Sequence, residues 1–335
     1  MIILGIETSC DETAVAVAKD NNILSNVVAS QIDIHKKYGG VVPEVAAREH
    51  VLKILPVINE AMNDASIKKE KIDAIAVTNG PGLVTSLLSG LETAKTLSYA
   101  WNKSLIGVNH IEGHIYANFI GNSNTKFPAL ILTVSGGHTM LVLMKGHGQY
   151  KILGETRDDA AGEAFDKAAQ LLGLSYPGGP IVSAEAEKSK KSNSISLPRP
   201  MIHSKDYDFS FSGLKTALLY AIKNDSNYKK YVPEYCAEFQ QAVIDVLIKK
   251  TVKAAKEFKV KTVMLAGGVS ANKELRKQLA KAVEDNLTKT EFNIPEFKYT
   301  TDNASMIAVA GYYRAKRKKF TAWQKIKVDP NLELK

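Results

Sequence analysis

One local pattern occurs twice in this chain, and it restricts the fold more than any other feature of the sequence. Residues 2–6 and 14–18 are short apolar runs around the polar turn Glu7-Thr8-Ser9-Cys10-Asp11-Glu12-Thr13. Residues 130–134 and 140–144 repeat the unit around Ser135-Gly136-Gly137-His138-Thr139. Each hairpin opens a stretch in which apolar runs alternate with segments of helical period, the pattern of mixed α/β layers. The repeat predicts two architecturally equivalent lobes with little identity between them. A chain of 335 residues, 45% hydrophobic and 24% charged, is long enough to give each lobe its own core.

Between the hairpins the elements are regular. Residues 45–62 have helical period, with Val51, Leu55, Ile58 and Met62 on one face, and Pro56 predicts a kink or break. A buried strand over 72–78 ends at Asn79-Gly80-Pro81-Gly82, and a long helix is expected over 83–101. The polar stretch 122–126 is the expected boundary between lobes. The N-terminal lobe is therefore placed at 1–121, rejoined by a last helix at 303–320, and the C-terminal lobe at 127–302. The second lobe is expected to hold helices over 159–172, 212–223, 233–258 and 272–284, a strand at 262–265, and a mobile Ser/Lys-rich loop at 189–196.

An apolar run at 105–108 leads through Asn109 into His110-Ile111-Glu112-Gly113-His114, expected to be a helix over 110–120. Residues four apart share a helix face, with Cβ atoms about 5–6 Å apart, so two such imidazoles can hold one metal ion. The spacing alone favours a helix with two solvated or core histidines. Position adds weight: Asn109 would cap a helix at the carboxyl end of a strand, where open α/β sheets carry their sites. Glu112 lies about 200° around the helix from His110 and is not expected to face the same ion. A zincin-type peptidase places its glutamate directly after the first histidine, so that reading is discounted.

The two hairpin turns are rich in small and hydroxyl residues whose free N–H groups can form anion nests. A single turn of this kind is an ordinary hairpin. A pair, one per lobe, is the phosphate-binding arrangement of the duplicated two-lobe actin/Hsp70/sugar-kinase (ASKHA) fold, with its ligand in a central interlobe cleft. Leu265-Ala266-Gly267-Gly268-Val269-Ser270-Ala271-Asn272 reads as strand, glycine turn and helix start, and fits that fold's adenosine turn; its bland reading is a helix entry with Asn272 near the cap. Asp166 lies deep enough in its helix to reach ribose hydroxyls, and Pro177-Gly178-Gly179-Pro180 is either a plain turn or one that closes over a nucleotide. Asp302, before the last helix, is an N-cap or a third metal ligand, and nothing in the spacing joins it to His110. Cys10 has no local histidine and reads as inert core.

The formal charge of +9 points to a polyanionic partner, nucleic acid first. The basic clusters at 188–191 and at Arg314-Ala315-Lys316-Arg317-Lys318-Lys319 are either solvated faces or RNA contacts. Two cysteines, Cys10 and Cys236, exclude a disulfide framework and a cysteine zinc cluster. No signal-peptide pattern opens the chain, and no apolar run reaches the ~18 residues of a membrane helix. A cytoplasmic protein with no membrane contact is expected.

Taken together, these motifs resemble the tRNA threonylcarbamoyladenosine-biosynthesis family TsaD, once called O-sialoglycoprotein endopeptidases. The resemblance runs from Gly5 to about Gly311. It is carried by Gly5-Ile6-Glu7-Thr8-Ser9-Cys10-Asp11-Glu12-Thr13, Tyr38-Gly39-Gly40-Val41-Val42-Pro43-Glu44, Gly80-Pro81-Gly82 and His110-Ile111-Glu112-Gly113-His114. Further on it rests on Val134-Ser135-Gly136-Gly137-His138-Thr139, Gly162-Glu163-Ala164-Phe165-Asp166-Lys167, Phe209-Ser210-Phe211-Ser212-Gly213-Leu214-Lys215-Thr216 and the Gly267–Asn272 turn. The wording of the last two is of the bacterial type.

The resemblance implies transfer of a threonylcarbamoyl group from threonylcarbamoyl-adenylate to the exocyclic amine of the adenosine 3′ of the anticodon, in tRNAs reading codons that begin with A. It implies one metal ion per subunit, iron before zinc, on His110, His114 and Asp302. It implies an adenylate- or ATP-type nucleotide, with or without Mg, on Val134, Ser135, Gly136, Gly137, His138, Asp166, Gly179 and Asn272. Relatives often carry an acid or similar polar contact where this chain has Ser183, which puts donor affinity in question and leaves the activity standing. Glu12 is the carboxylate expected as proton acceptor or gate. The implied partners are tRNA, a TsaB-like paralogue docked on the N-terminal lobe helices, a TsaE-like small ATPase, and a separate synthase that supplies the adenylate. A kinase or ATPase of the same fold, which needs no histidine pair, and a degenerate partner subunit, which would lack it, are the remaining alternatives.

Overall fold

The computed structural model describes residues 1–122, 124–189 and 195–335. The chain forms two compact units, Met1–Thr125 with Pro295–Lys335, and Lys126–Ile294. The sequence reading carried the second lobe on to 302; the contacts of Pro295–Lys335 are with the first unit, so Asp302 sits in the unit that holds the histidines.

In the first unit, strands β1 (Ile2–Glu7), β2 (Glu12–Lys19), β3 (Asn22–Ser30), β4 (Ala74–Gly80) and β5 (Ser104–Asn109) form one sheet in the order β3-β2-β1-β4-β5. The first three strands run antiparallel, while β1, β4 and β5 run parallel. The helices are α1 (Ile32–His35), α2 (Pro43–Asp64), α3 (Val84–Trp101) and α4 (His110–Tyr116). In the second unit, β6 (Ala129–Val134), β7 (Thr139–Gly146), β8 (Gln149–Glu155), β9 (Thr262–Ala266) and β10 (Glu291–Asn293) form a sheet in the order β10-β9-β6-β7-β8. Its helices are α5 (Ala161–Leu171), α6 (Gly178–Ala186), α7 (Ser212–Lys223), α8 (Val232–Glu257) and α9 (Lys273–Asn286). The last helix, α10 (Ala304–Lys316), belongs to the first unit. Strand for strand, the two sheets have the same order and the same parallel and antiparallel pairings, as the repeated hairpin predicts.

The core strands carry nearly continuous apolar runs because both faces are covered. Ile3, Leu4 and Ile6 of β1 and Ile75 and Val77 of β4 are fully buried, as are Leu130, Leu132 and Val134 of β6. The edge strands β3 and β8 were not legible, because their exposed faces dilute the apolar pattern. Two expectations for α2 need correction. Of the kink or break expected at Pro56, the break does not occur: the helix continues through Pro56, which is exposed, as is Leu52, whose carbonyl loses its usual N–H partner. Its buried face is Ile54, Val57, Ile58 and Ala61, while Val51 and Leu55 are 66% and 58% exposed. The histidine helix also ends earlier, at Tyr116, and passes into a 3₁₀ turn over Ala117–Phe119. Among the described residues, no helix is long and apolar enough to cross a membrane. Most of the 189–196 loop, and Lys190 and Lys191 of the 188–191 basic cluster, lie outside the described residues.

Candidate active site

In the first unit, three side chains converge at the carboxyl ends of the parallel strands. Strand β5 ends at Asn109, whose side chain accepts from the N–H groups of Ile111 and Glu112 and so starts α4. The helix presents His110 and His114 side by side, ring centroids 4.6 Å apart. From the other direction comes the segment before α10. Asn303, not Asp302, caps that helix by accepting from the Met306 N–H, which leaves the Asp302 carboxylate to face the histidines. Asp302 Oδ1 lies 3.5 Å from His110 Nε2 and 3.2 Å from His114 Nε2. One ligand atom from each of the three falls within 4.8 Å of the others.

The chemistry of this cluster fits a metal ion. His114 is 1% exposed, yet neither of its ring nitrogens makes a hydrogen bond. Nε2 faces the Asp302 carboxylate at 3.2 Å without forming a hydrogen bond, and an ion held by the two would satisfy both groups. Two imidazoles and a carboxylate suit zinc or iron and leave coordination positions open.

Behind His110 stands Glu7, which sequence reasoning quoted in a motif but gave no role. Glu7 is fully buried at the end of β1. It accepts the Thr78 hydroxyl at 2.6 Å and the Ser9 N–H at 2.5 Å, and its Oε2 lies 3.2 Å from His110 Nδ1. A carboxylate only accepts, so Nδ1 carries the proton and Nε2 is turned toward Asp302. Burial pushes the Glu7 carboxyl up, but the facing His110 outweighs it and holds the group below its ordinary value. Burial also disfavours charge on His110, yet the carboxylates of Asp302 and Glu7 raise it to about 9. The signal that would have found Glu7 is an acid directly after a run of five apolar or small strand residues. We predict that Glu7→Gln weakens metal binding 10- to 100-fold, measured by competition with a chromophoric chelator.

Glu112, the middle acid of the motif, points elsewhere. It is fully buried, accepts from Arg314 Nε at 2.5 Å, and lies 3.5 Å from Arg317. Both arginines belong to the end of α10, so the pair fastens the two elements that bear the candidate metal ligands. The helices approach closely beside it: a Cβ on Gly113 would stand 2.7 Å from Ile307 Cδ1.

Glu12 lies at the start of β2, accepts the Ser30 hydroxyl at 2.8 Å, and has its second oxygen buried without a partner. Burial, reinforced by the charges of Asp11 and Asp302, pushes its carboxyl up to about 8 against the Ser30 hydrogen bond. Burial pushes the Cys10 thiol up as well, which keeps it protonated and inert.

In the second unit, the remaining residues of interest form a linked set. In the β6–β7 turn, Ser135 N–H donates to His138 O, and His138 N–H donates to the Ser135 hydroxyl. Gly162, at the start of α5, donates its N–H to Ser135 O. Asp166 accepts the Gly178 N–H at 2.7 Å and so holds the beginning of α6; burial raises its carboxyl. Asn272 caps α9 and donates to Gln240 Oε1 at 2.7 Å, with Ser183 Oγ 3.4 Å away. Gly267 has φ +86°, and a Cβ there would lie 2.4 Å from Val134 O, so only glycine fits. Gly136, Gly137, Gly179 and Gly268 have nothing within 4 Å of a Cβ position, so their backbone is open to a ligand.

A duplicated α/β chain with these paired hairpins belongs to the actin/Hsp70/sugar-kinase class, here with a candidate two-histidine, one-carboxylate metal site in the first unit. Solved structures agree on the fold. HypF of T. kodakarensis superposes with a TM-score of 0.64 at 17% identity, over 94% of this chain and 48% of that one. Component A of the (R)-2-hydroxyglutaryl-CoA dehydratase of Acidaminococcus fermentans gives 0.52 at 14%, over 94% and 99%. The family model for TsaD, tRNA N6-adenosine threonylcarbamoyltransferase, matches residues 22–309. A protein of that name from Thermosipho africanus is 51% identical over 334 residues, covering 100% of both chains. Another, from Dehalococcoides mccartyi, is 54% identical over 315 residues, 94% of each. The chain belongs to the TsaD family.

Proposed function

We propose that this protein transfers the threonylcarbamoyl group of threonylcarbamoyl-adenylate to N6 of the adenosine 3′ of the anticodon, in tRNAs that read codons beginning with A. The observation that carries the site reading is the meeting of His110, His114 and Asp302, from elements almost two hundred residues apart in sequence, in one unit of a chain with full-length relatives of that name. In the reaction an N–C bond forms between N6 and the carbamoyl carbon. The bond from that carbon to the adenylate oxygen breaks, AMP leaves, and one proton departs from N6.

A metal held by His110, His114 and Asp302, iron or zinc, would supply Lewis-acid polarisation. Glu7 holds His110 in the ligating tautomer, and the Glu112 pair with Arg314 keeps α4 registered on α10. Glu12 would take the N6 proton; its carboxyl, raised to about 8, supports that role, since a general base works best with a value near the working pH. In the second unit, Val134, the Ser135–His138 turn, Asp166, Gly179, Ser183 and Asn272 would bind the adenylate, with or without Mg; the open backbone at Gly136, Gly137 and Gly179 supports this. A TsaB-like paralogue would cover the exposed Val51, Leu52 and Leu55 of α2 with Val84 and Leu88 of the adjoining α3. A TsaE-like ATPase and the synthase that makes the donor complete the system, in the cytoplasm where tRNA is met. Full-rate modification by the purified chain alone would remove the partner part of this reading.

Glu12 gives a pH prediction. Transfer should rise with pH through about 8, as the Glu12 carboxyl ionises. Glu12→Gln should flatten that rise and slow transfer about 10²-fold. The stability effect has the opposite sign. The unfolded chain releases this proton near 4.5 and the folded chain near 8, so the native state holds more protons between them. Stability therefore falls as pH rises across that window, and Glu12→Gln should lessen the fall in denaturant titrations at pH 5 and 8.5.

The function is tested by incubating the protein and candidate partners with unmodified tRNA and preformed threonylcarbamoyl-adenylate, then weighing the digested nucleosides. The reading requires an adenosine heavier by one threonylcarbamoyl group; its absence under every partner combination would redirect attention to nucleotide turnover.

A further inference from the structure

From Tyr313 to Val328 the chain contains seven basic residues and no acid. Arg314 and Arg317 are used on Glu112. The other five, Lys316, Lys318, Lys319, Lys325 and Lys327, are exposed, and none has an acidic partner among the described residues. Lys316 lies over the Tyr312 ring, 5.5 Å from its centroid. Phe320 and Trp323 stand among these lysines, 46% and 37% exposed, and Trp323 meets the edge of Tyr99, itself 71% exposed, at 5.4 Å.

A run of lysines is most often only a solvated face. Three features set this one apart. The first is the complete exclusion of acids in a chain that has 35 of them. The second is large aromatic surface left in water between the cations, which nothing in the unit's own packing requires. The third is the path of the backbone, which is fixed. Thr321 N–H donates to Leu105 O at the start of β5, and Ile326 is buried in the unit's core. Asp329 N–H then donates to Asn79 O, and Leu332 O accepts from Asn109 Nδ2. The segment thus climbs the free edge of the sheet, from the end of α10 to the residue that caps the histidine helix. The six residues of β5 span about 20 Å, or about six base steps at ~3.4 Å each.

We propose that this strip is the track on which the anticodon arm of tRNA lies, with phosphates on Lys316, Lys318, Lys319, Lys325 and Lys327 and an unstacked base on Trp323. The proposal rests on the tRNA-modifying reading above and adds which surface meets the RNA. Unpaired lysines bind phosphate without reading sequence, and an exposed indole stacks any base, so the strip fits an arm that must be held in many tRNAs. Beyond Lys327 the chain passes Asp329 and brings Leu332 against Asn109, so the strip ends on the side of the sheet where the histidine helix starts.

The test is filter binding of the full-length protein to an unmodified tRNA transcript, from 50 to 300 mM KCl, alone and with partners. Replacing Lys318, Lys319, Lys325 and Lys327 together by Gln should weaken binding and reduce the log–log salt slope by about 3, at 0.7–0.9 per lost phosphate contact. Trp323→Ala should weaken binding about tenfold at every salt concentration with the slope unchanged, and Trp323→Phe should restore it. Unchanged affinity and slope in the quadruple variant would overturn the proposal while leaving transfer activity, and the reading it rests on, intact. Variants that keep tRNA binding but fail to assemble with a protein partner would also overturn it, by assigning the strip to that partner. A wild-type protein that neither binds nor modifies tRNA would defeat both.

Discussion

His114→Ala should abolish metal retention and slow threonylcarbamoyl transfer by about 10³-fold. The size follows from the several kcal/mol a Lewis acid contributes to a transition state, at about 1.4 kcal/mol per factor of ten. His114 is the more informative of the two histidines. His110 is tied to Glu7 and Ser9, so its removal also disturbs the turn after β1. The His114 ring is buried and makes no hydrogen bond, and its ion-pair contact is with the candidate ligand Asp302, so its loss disturbs little beyond the cluster itself. Metal content by mass spectrometry and transfer rate should fall together, while the circular dichroism spectrum stays that of the parent. Retained metal with lost activity would mean that His114 serves the reaction in another way.

Arg314→Met should lower stability by about 3 kcal/mol, the cost of leaving a buried carboxylate without its main partner. Glu112 is 1% exposed, and Arg317 at 3.5 Å compensates only in part. The reverse change should be milder. With Glu112→Leu, the arginines are left at 27% and 29% side-chain exposure and can turn toward water. The double variant should therefore recover much of the loss, a coupling readable from denaturant unfolding of all four proteins. Arg314 also donates to Gly107 O at 2.8 Å, joining α10 to β5 as well as to α4. All three candidate ligands ride on these elements, so the same variants should bind metal more weakly. Equal destabilisation by the two single changes would contradict this account of the pair.

Much of the architecture was legible because burial on both faces writes continuous apolar runs into the central strands. The repeated hairpin gave the duplication, and the run at 105–108 with Asn109 gave the start of the histidine helix. The edge strands β3 and β8 were lost because their solvent faces break the pattern. The face of α2 was misjudged for a related reason: Val51, Leu52 and Leu55 are apolar and yet exposed, and a helix with apolar residues on two sides has no single reading. Within the candidate site, only local pieces were visible. The spacing of His110 and His114 suggested a shared ligand, but Asp302 follows them by almost two hundred residues and came from family resemblance alone. The roles of Glu7 and Arg314 depend on contacts across 103 and 202 residues, which no local pattern encodes.

Whether the His110, His114 and Asp302 cluster works as a metal site is decided by a metal titration of the metal-free protein, in which ion content and modified nucleoside yield are read from the same samples. No transfer is expected without metal, and the yield should rise in proportion to occupancy and level off at one ion per chain. Full transfer by the metal-free protein, or a plateau unrelated to occupancy of the His110, His114 and Asp302 cluster, would contradict the metal-site reading.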